Sequence, residues 1–316
     1  MFGFPPVFRS RGAILKSSGW TFAQQRAVGA YLGLAIGDAL GGTVEFMLPE
    51  EIRASLGIHD RIIGGGWLRL RPGQVTDDTE MSLALGAAIL ASGGRVTAEA
   101  AARAFDQWLR GKPIDVGNTV RRGIINYRNF GRTEMPEDVH DAGNGACMRT
   151  LPVALATLGW PWEEVVAASR AQAHVTHHNP LSDAATECVI RMVRMAIGNS
   201  TKESLIDGPM AELVVRHPEF RYRRKRPGTN PSAYIVDTIR VVFEVFEQTH
   251  DFETCLVEVV NRGGDADTTG AIAGMIAGAL HGPEAIPERW LRRLEEKTKN
   301  QCISQALTLV DKTLYT

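Results

Sequence analysis

Two acidic clusters with chemical potential stand far apart in the chain: Thr76-Asp77-Asp78-Thr79-Glu80 and Asp265-Ala266-Asp267-Thr268-Thr269. Each precedes a run of small apolar residues, Met81 to Leu90 in the first case and Gly270 to Leu280 in the second. A single Asp ahead of a helix reads as an N-cap that accepts hydrogen bonds from free backbone amides. A cap needs only one carboxylate. Two carboxylates and a threonine, supplied twice, repel one another unless a cation lies between them. Oxygen-only donors of this kind suit hard divalent ions such as Mn²⁺ or Mg²⁺. In Asp265-x-Asp267-Thr268, residues two apart can converge on one ion. We read Thr76, Asp77 and Asp78 with Asp265, Asp267 and Thr268 as the two halves of one binuclear metal site.

Other residues carry chemistry less openly. Asp115, after Pro113, reads as an N-cap. Glu45, after Gly41-Gly42, reads as a surface residue, and Asp38 as a structural partner of a buried helix end. Gly143-Asn144-Gly145 is expected to open a helix running to Leu158, whose amide-rich terminus would favour an anion such as a diphosphate. An ordinary Asn-Gly turn is the alternative. Arg149 is expected to pair with a carboxylate. His174, His177 and His178 resemble a transition-metal cluster, but no fourth ligand stands at a characteristic spacing. Histidines near a helix end also cap it or pack against it. Tyr234 falls on an apolar helical face, where core packing is the plain expectation.

These residues need a scaffold, and its pattern is helical. Apolar residues recur at helical spacing after Gln24, as in Met81, Leu85, Ala88 and Ile89, in Val189, Met192, Val193 and Ala196, and in Ile235, Ile239, Val242, Phe243 and Phe246. Val165, Ala168, Ser169 and Gln172 form a weaker face. Prolines fall between these segments, where they start or stop helices. The stretch from Arg61 to Leu70 holds three glycines and reads as a loop. No linker or repeat divides the chain, so an all-α, single compact domain over residues 25–316 is expected. Glycine and alanine crowd Gly29–Gly42 and Gly270–Gly282, which lets helix backbones approach closely and would bring two helix N-termini to one site.

Composition narrows the partners. With 316 residues and 44% apolar content the chain can bury a large core. A formal net charge of −1 gives no whole-protein field favouring nucleic acid or an anionic membrane. The basic run Arg221, Arg223, Arg224, Lys225 and Arg226 reads as a solvated loop. Four scattered cysteines argue for a reducing compartment, hence a cytoplasmic protein, and no apolar run has the length of a transmembrane segment. Residues 1–24 are basic, hold no acidic residue and lack a signal-peptide core, so a disordered extension is expected there.

The clusters do not stand alone. With Gly37-Asp38-Ala39-Leu40-Gly41-Gly42-Thr43-Val44-Glu45 and Gly143-Asn144-Gly145-Ala146-Cys147-Met148-Arg149, the chain resembles the ADP-ribosylglycohydrolase family. Gly64 to Leu70, Pro113 to Thr119 and Ser232 to Thr238 point to its nitrogenase-reactivating branch, and the matches run from about Ala27 to Trp290. The resemblance implies two divalent ions, Mn²⁺ or Mg²⁺, on Thr76, Asp77, Asp78, Asp265, Asp267 and Thr268. It also implies that Glu45 reaches the metal centre and that Asp115 acts as general base. Gly143, Asn144 and Gly145 would hold ADP-ribose, with His177 in the substrate cleft and Tyr234 stacked on adenine. The implied substrate is a protein ADP-ribosylated on arginine, the iron protein of nitrogenase. A PII-type regulatory protein and reversible membrane association through a partner are further implications. Relatives acting on serine-linked or small ADP-ribosyl compounds, or binding ADP-ribose without catalysis, are the alternatives; intact acidic clusters argue against the last.

Overall fold

The glycine stripes decide the architecture. In the computed structural model, which describes residues 19–314 apart from 226, helix α1 (Phe22–Gly41) lies antiparallel to a late helix (Ala266–His281). Gly29, Gly33, Gly37 and Gly41 face Gly278, Gly274, Gly270 and Ala266 in turn. A Cβ on Gly33 would stand 2.1 Å from the Gly274 carbonyl oxygen, and one on Gly37 2.0 Å from that of Gly270. The two backbones are therefore in direct contact, at a separation that only a residue without a side chain permits. Residues 27–41 of α1 are all buried, which makes it the central helix of the fold.

Around this pair the chain wraps further helices. They are α2 (Pro49–Leu56), α3 (Asp77–Ala91), α4 (Ala98–Arg110), α5 (Asn118–Phe130), α6 (Leu151–Ala156), α7 (Trp162–Ala173) and α8 (Pro180–Ile197). Then come α9 (Lys202–Leu205), α10 (Ala211–Arg216), α11 (Ile235–Gln248), α12 (Phe252–Val260), the late helix α13 (Ala266–His281), α14 (Glu288–Leu291) and α15 (Glu296–Leu314). Among the described residues there is no β-strand; pairing is limited to two isolated bridges, Gly65 with Leu70 and Gly143 with Tyr234. The all-α, single-domain expectation holds. Helix α1 starts at Phe22, with Thr21 and Gln24 forming a capping box. Residues 1–18 of the expected extension lie outside the described residues. No helix of the described chain is long and apolar enough to cross a membrane.

Two expectations about helices are corrected. The glycine stripe does not join two N-termini: it sets the C-terminal end of α1 against the N-terminus of α13, and α3 arrives by another device described below. Gly143 also opens no helix to Leu158; it pairs with Tyr234, residues 145–149 form turns, and α6 spans only Leu151–Ala156. Pro152 gives the reason. In a helix from Gly143 it would sit in the interior, without an N–H to donate, whereas it is tolerated in the first turn of α6.

Candidate active site and metal centre

Neither acidic cluster caps its own helix. Thr76 is the N-cap of α3 and Asp265 the N-cap of α13, and neither side chain makes a capping bond. The capping of α3 comes instead from Asp38 on α1. Its carboxylate accepts from the Thr76 amide at 3.0 Å, the Thr79 amide at 3.1 Å, and the hydroxyls of Thr76 at 2.9 Å and Thr79 at 2.5 Å. Asp38 is thus structural, as expected, and it holds the N-terminus of α3 beside that of α13. Asp77 and Asp78 are released from capping and face the space between.

Glu45 joins them through the turn after α1. Gly264 donates its amide to Met47 O at 3.0 Å, and Phe46 donates to Gly264 O at 2.7 Å. Gly263 and Gly264 both have left-handed φ, and a Cβ on Gly264 would stand 2.2 Å from Pro231 O. Glycine is required there. The outcome is that carboxylate oxygens of Glu45, Asp265 and Asp267 lie within 4.8 Å of one another, all buried, in an arrangement able to hold a metal ion. Asp78 Oδ2 lies 3.2 Å from the Thr76 hydroxyl oxygen and 3.4 Å from that of Thr268, so the two halves meet.

The charge balance of this cluster is unusual. Asp38, Glu45, Asp77, Asp78, Asp265 and Asp267 are all buried. Burial is the main cause that raises each carboxyl above its ordinary range, with neighbouring carboxylates adding to it for all but Asp38. Asp38 is pushed up to about 7 against its hydrogen bonds, and Glu45 and Asp77 to about 8. Two features fit the cluster to a hard divalent cation. Asp78 Oδ1 is buried with no hydrogen-bond partner. The Thr76 hydroxyl faces carboxylates of Asp38, Asp78 and Asp267, yet it has one proton to give. Given to Asp38, the proton leaves the Thr76 lone pairs directed at carboxyl oxygens of Asp78 and Asp267, a clash that a cation between them, or a proton on either carboxyl, relieves.

A pH dependence follows. These carboxyls stay protonated in the folded protein to higher pH than the ordinary value of about 4 in the unfolded chain. Between about pH 4 and about 8 the fold therefore binds more protons, and stability without metal falls as pH rises. A divalent ion competes with those protons and binds more tightly as they leave. Chelator-treated protein should melt at a lower temperature at pH 8 than at pH 6, and Mn²⁺ should raise the melting temperature more at pH 8. Calorimetry at the two pH values checks both signs; a metal-induced shift larger at pH 6 would contradict them.

The other sequence candidates gather nearby. Asp115 is no N-cap: α5 is capped by Gly117, because the chain turns helical only at Asn118. Asp115 Oδ1 accepts from the Val116 amide at 2.8 Å, and its charge helps to raise Glu45 and Asp77, so it sits at the edge of the cluster. Burial raises its own carboxyl. Asn144 uses its side chain rather than a helix terminus: its amide donates to Asp265 Oδ2 at 2.5 Å and Thr238 Oγ1 at 2.9 Å. Gly143 and Gly145 pack on His177, whose ring lies where a Cβ of either would need to be. Tyr234 is not a core residue. It is the N-cap of α11, one residue before the apolar face begins, and is 41% exposed beside Gly143.

Three partners escaped the sequence reading. Trp67, after three glycines, donates its indole N–H to Glu45 Oε2 at 2.6 Å and packs against Phe46. Arg149, expected to pair with a carboxylate, is fully buried against Gln172, Thr176 and the Phe105 ring, with Asp77 acting only through space. The three histidines divide: His174 and His178 stack at 3.7 Å beside Glu134, which the spacing did not reveal, while His177 turns inward. Glu134, His174 and His178 form a second group able to hold a metal. However, His174 Nε2 is engaged by Asp183 at 2.9 Å and His178 Nδ1 by Met135 O at 2.8 Å. A surface cavity of about 830 Å³ lined by Trp162, Cys188, Arg194 and Leu213 shares no residue with the carboxylate cluster.

Comparison with known proteins gives the class to which this fold and site belong. The ADP-ribosylglycohydrolase family model matches residues 21–315, and the chain belongs to that family. It is 49% identical over 285 residues to the ADP-ribosyl-[dinitrogen reductase] glycohydrolase of Rhodospirillum rubrum, covering 90% of this chain and 95% of that one. It is 33% identical over 299 residues to the ADP-ribosylarginine hydrolase Tri1 of Serratia proteamaculans, covering 89% and 78%. A solved structure described as an ADP-ribosylglycohydrolase-related protein complex superposes with a TM-score of 0.79 at 32% identity, over 92% of this chain and 99% of that one.

Proposed function

We propose that this protein hydrolyses the N-glycosidic bond between ADP-ribose and an arginine side chain of a target protein, in a metal-dependent reaction. The observation that carries the reading is the convergence of buried carboxylates and threonine hydroxyls from two helix N-termini and the turn after α1. Similarity to a dinitrogen reductase glycohydrolase and to an arginine-specific hydrolase supports the linkage and favours the nitrogenase iron protein as target. A PII-type protein controlling access to that target, and thereby a reversible association with the membrane in an otherwise cytoplasmic protein, belongs to the same reading.

In this reading Thr76, Asp77, Asp78, Asp265, Asp267 and Thr268 hold two divalent ions, Mn²⁺ or Mg²⁺. Bound there, the ions supply concentrated positive charge for ribose hydroxyls and for charge that develops as the bond breaks. Asp38 keeps Thr76 turned toward the site, and Asn144 does the same for Asp265. Glu45 stands over the centre, held by Trp67. Asp115 takes a proton from the attacking water on the carboxylate oxygen that Val116 leaves free, a role helped by its raised pKa. Gly143, Asn144 and Gly145 with His177 line the path of the ADP-ribose chain.

Tyr234 stacks on the adenine. Tyr234→Ala should weaken ADP-ribose binding by about 1–3 kcal/mol, by analogy with base stacking on aromatic side chains. Because the ring is 41% exposed, its loss leaves no sealed cavity, and the melting temperature should barely move. Isothermal calorimetry with thermal melting checks this; a large loss of stability with unchanged affinity would make Tyr234 a packing residue.

The linkage is tested by giving the Mn²⁺-loaded enzyme peptides ADP-ribosylated on arginine or on serine. Release of ADP-ribose from the arginine peptide alone is expected. Turnover of the serine peptide alone would move the protein to another substrate class.

A further inference from the structure

Arg149 is a fully buried guanidinium with no carboxylate in hydrogen-bond reach, and its contacts point along one line. Its Nε donates to Gln172 Oε1 at 2.8 Å, and its Nη2 donates to Gln172 O at 2.9 Å and to Thr176 Oγ1 at 2.8 Å. Thr176 Oγ1 in turn lies 2.8 Å from His177 Nδ1.

The direction of each bond is fixed by chemistry. A guanidinium has donors only, so the Thr176 oxygen accepts from Arg149. The single Thr176 hydroxyl proton has no other acceptor among the described contacts, so it goes to His177 Nδ1. His177 must then accept at Nδ1. It is held neutral, first by burial and then by the charges of Arg149 and Arg122, with its pKa lowered to about 3. A neutral imidazole that accepts at one nitrogen carries its proton on the other.

We propose that Arg149 and Thr176 are positioning residues which lock His177 in the Nε2–H tautomer, so that it offers a neutral hydrogen-bond donor to an oxygen of the bound substrate. His177 is 3% exposed, and its Nε2 has no partner among the described contacts. The ring lies against Gly143 and Gly145: a Cβ on Gly143 would come 2.8 Å from Nε2, and one on Gly145 2.7 Å from Cε1. The Nε2 donor borders Gly143, in the segment through which the proposed function leads the ADP-ribose chain, so a substrate oxygen there can accept from it. The inference rests on that reading for the identity of the ligand. The tautomer itself does not.

Thr176→Val keeps the shape and removes both the acceptor for Arg149 and the donor to His177, whereas Thr176→Ser keeps both. In ¹⁵N-histidine-labelled, ligand-free protein, the His177 resonances should report Nε2–H in the wild type and in Thr176→Ser. Thr176→Val should shift the population toward Nδ1–H. ADP-ribose affinity should fall about tenfold in Thr176→Val, the loss of one hydrogen bond to a substrate oxygen, and recover in Thr176→Ser. An Nδ1–H tautomer in the wild type, or an unchanged tautomer in Thr176→Val, would overturn the relay. A shifted tautomer with unchanged ADP-ribose affinity would overturn its role toward substrate. Should the wild type bind no ADP-ribose, the ligand assignment falls with the proposed function, and the tautomer measurement still decides the relay.

Discussion

Asp267→Ala should reduce hydrolysis of ADP-ribosyl-arginine on the order of 10³-fold or more, and it should do so without unfolding the protein. Asp267 is 2% exposed, and its carboxyl is driven up by burial and then by Glu45, Asp78 and Asp265. Losing it removes one member of the group that can hold an ion. Activity that depends on preorganised charge then collapses. The same change relieves repulsion, so chelator-treated Asp267→Ala should melt at or above the temperature of chelator-treated wild type at pH 8. The stabilisation that Mn²⁺ confers should shrink in the variant. Enzyme assays and thermal melts with and without Mn²⁺ check the two arms. A variant that keeps full activity after chelation would exclude a role for Asp267 in holding metal.

Asp115→Asn carries the second large effect. The amide keeps the size of the carboxylate and an oxygen for the Val116 amide, but it cannot take a proton. Asp115 caps no helix, so little stability is at risk. Turnover should fall about 10²–10⁴-fold, with ADP-ribose binding preserved. Removing its charge should also lower the pKa of Glu45 and Asp77, which Asp115 now helps to raise. Single-turnover kinetics beside equilibrium binding separate the two quantities. Near-normal turnover would pass the base to Glu45.

How far these residues could be read in advance depended on whether their signal was local. The two clusters were legible because a capping role explains one carboxylate and not two with a threonine. The glycine stripes announced close helix packing, but not its partners or direction, which depend on how the remaining helices wrap. Asp38 was legible as the partner of a buried helix end, yet that the end belongs to α3 shows only in its bonds to Thr76 and Thr79, 38 and 41 residues away. Pro152 is a local signal against a helix from Gly143, and a reading that starts from the glycines alone passes over it. Tyr234 was misplaced by a single residue: the apolar face of α11 begins at Ile235, and its periodicity extends back to include the cap. Trp67 and Arg149 gave no such signal. Their hydrogen-bond partners lie 22 residues or more away in the chain, and a tryptophan after glycines or an arginine after Met148 has no pattern that names them.

The central claim is that a metal held by the buried acidic clusters lets this protein release ADP-ribose from arginine. Release of ADP-ribose from an arginine-ADP-ribosylated protein, measured after exhaustive chelation and again after adding back Mn²⁺, tests it most directly. Negligible release without metal and restored release with Mn²⁺ is the predicted result. Equal release in the two samples, or none in either, would contradict it.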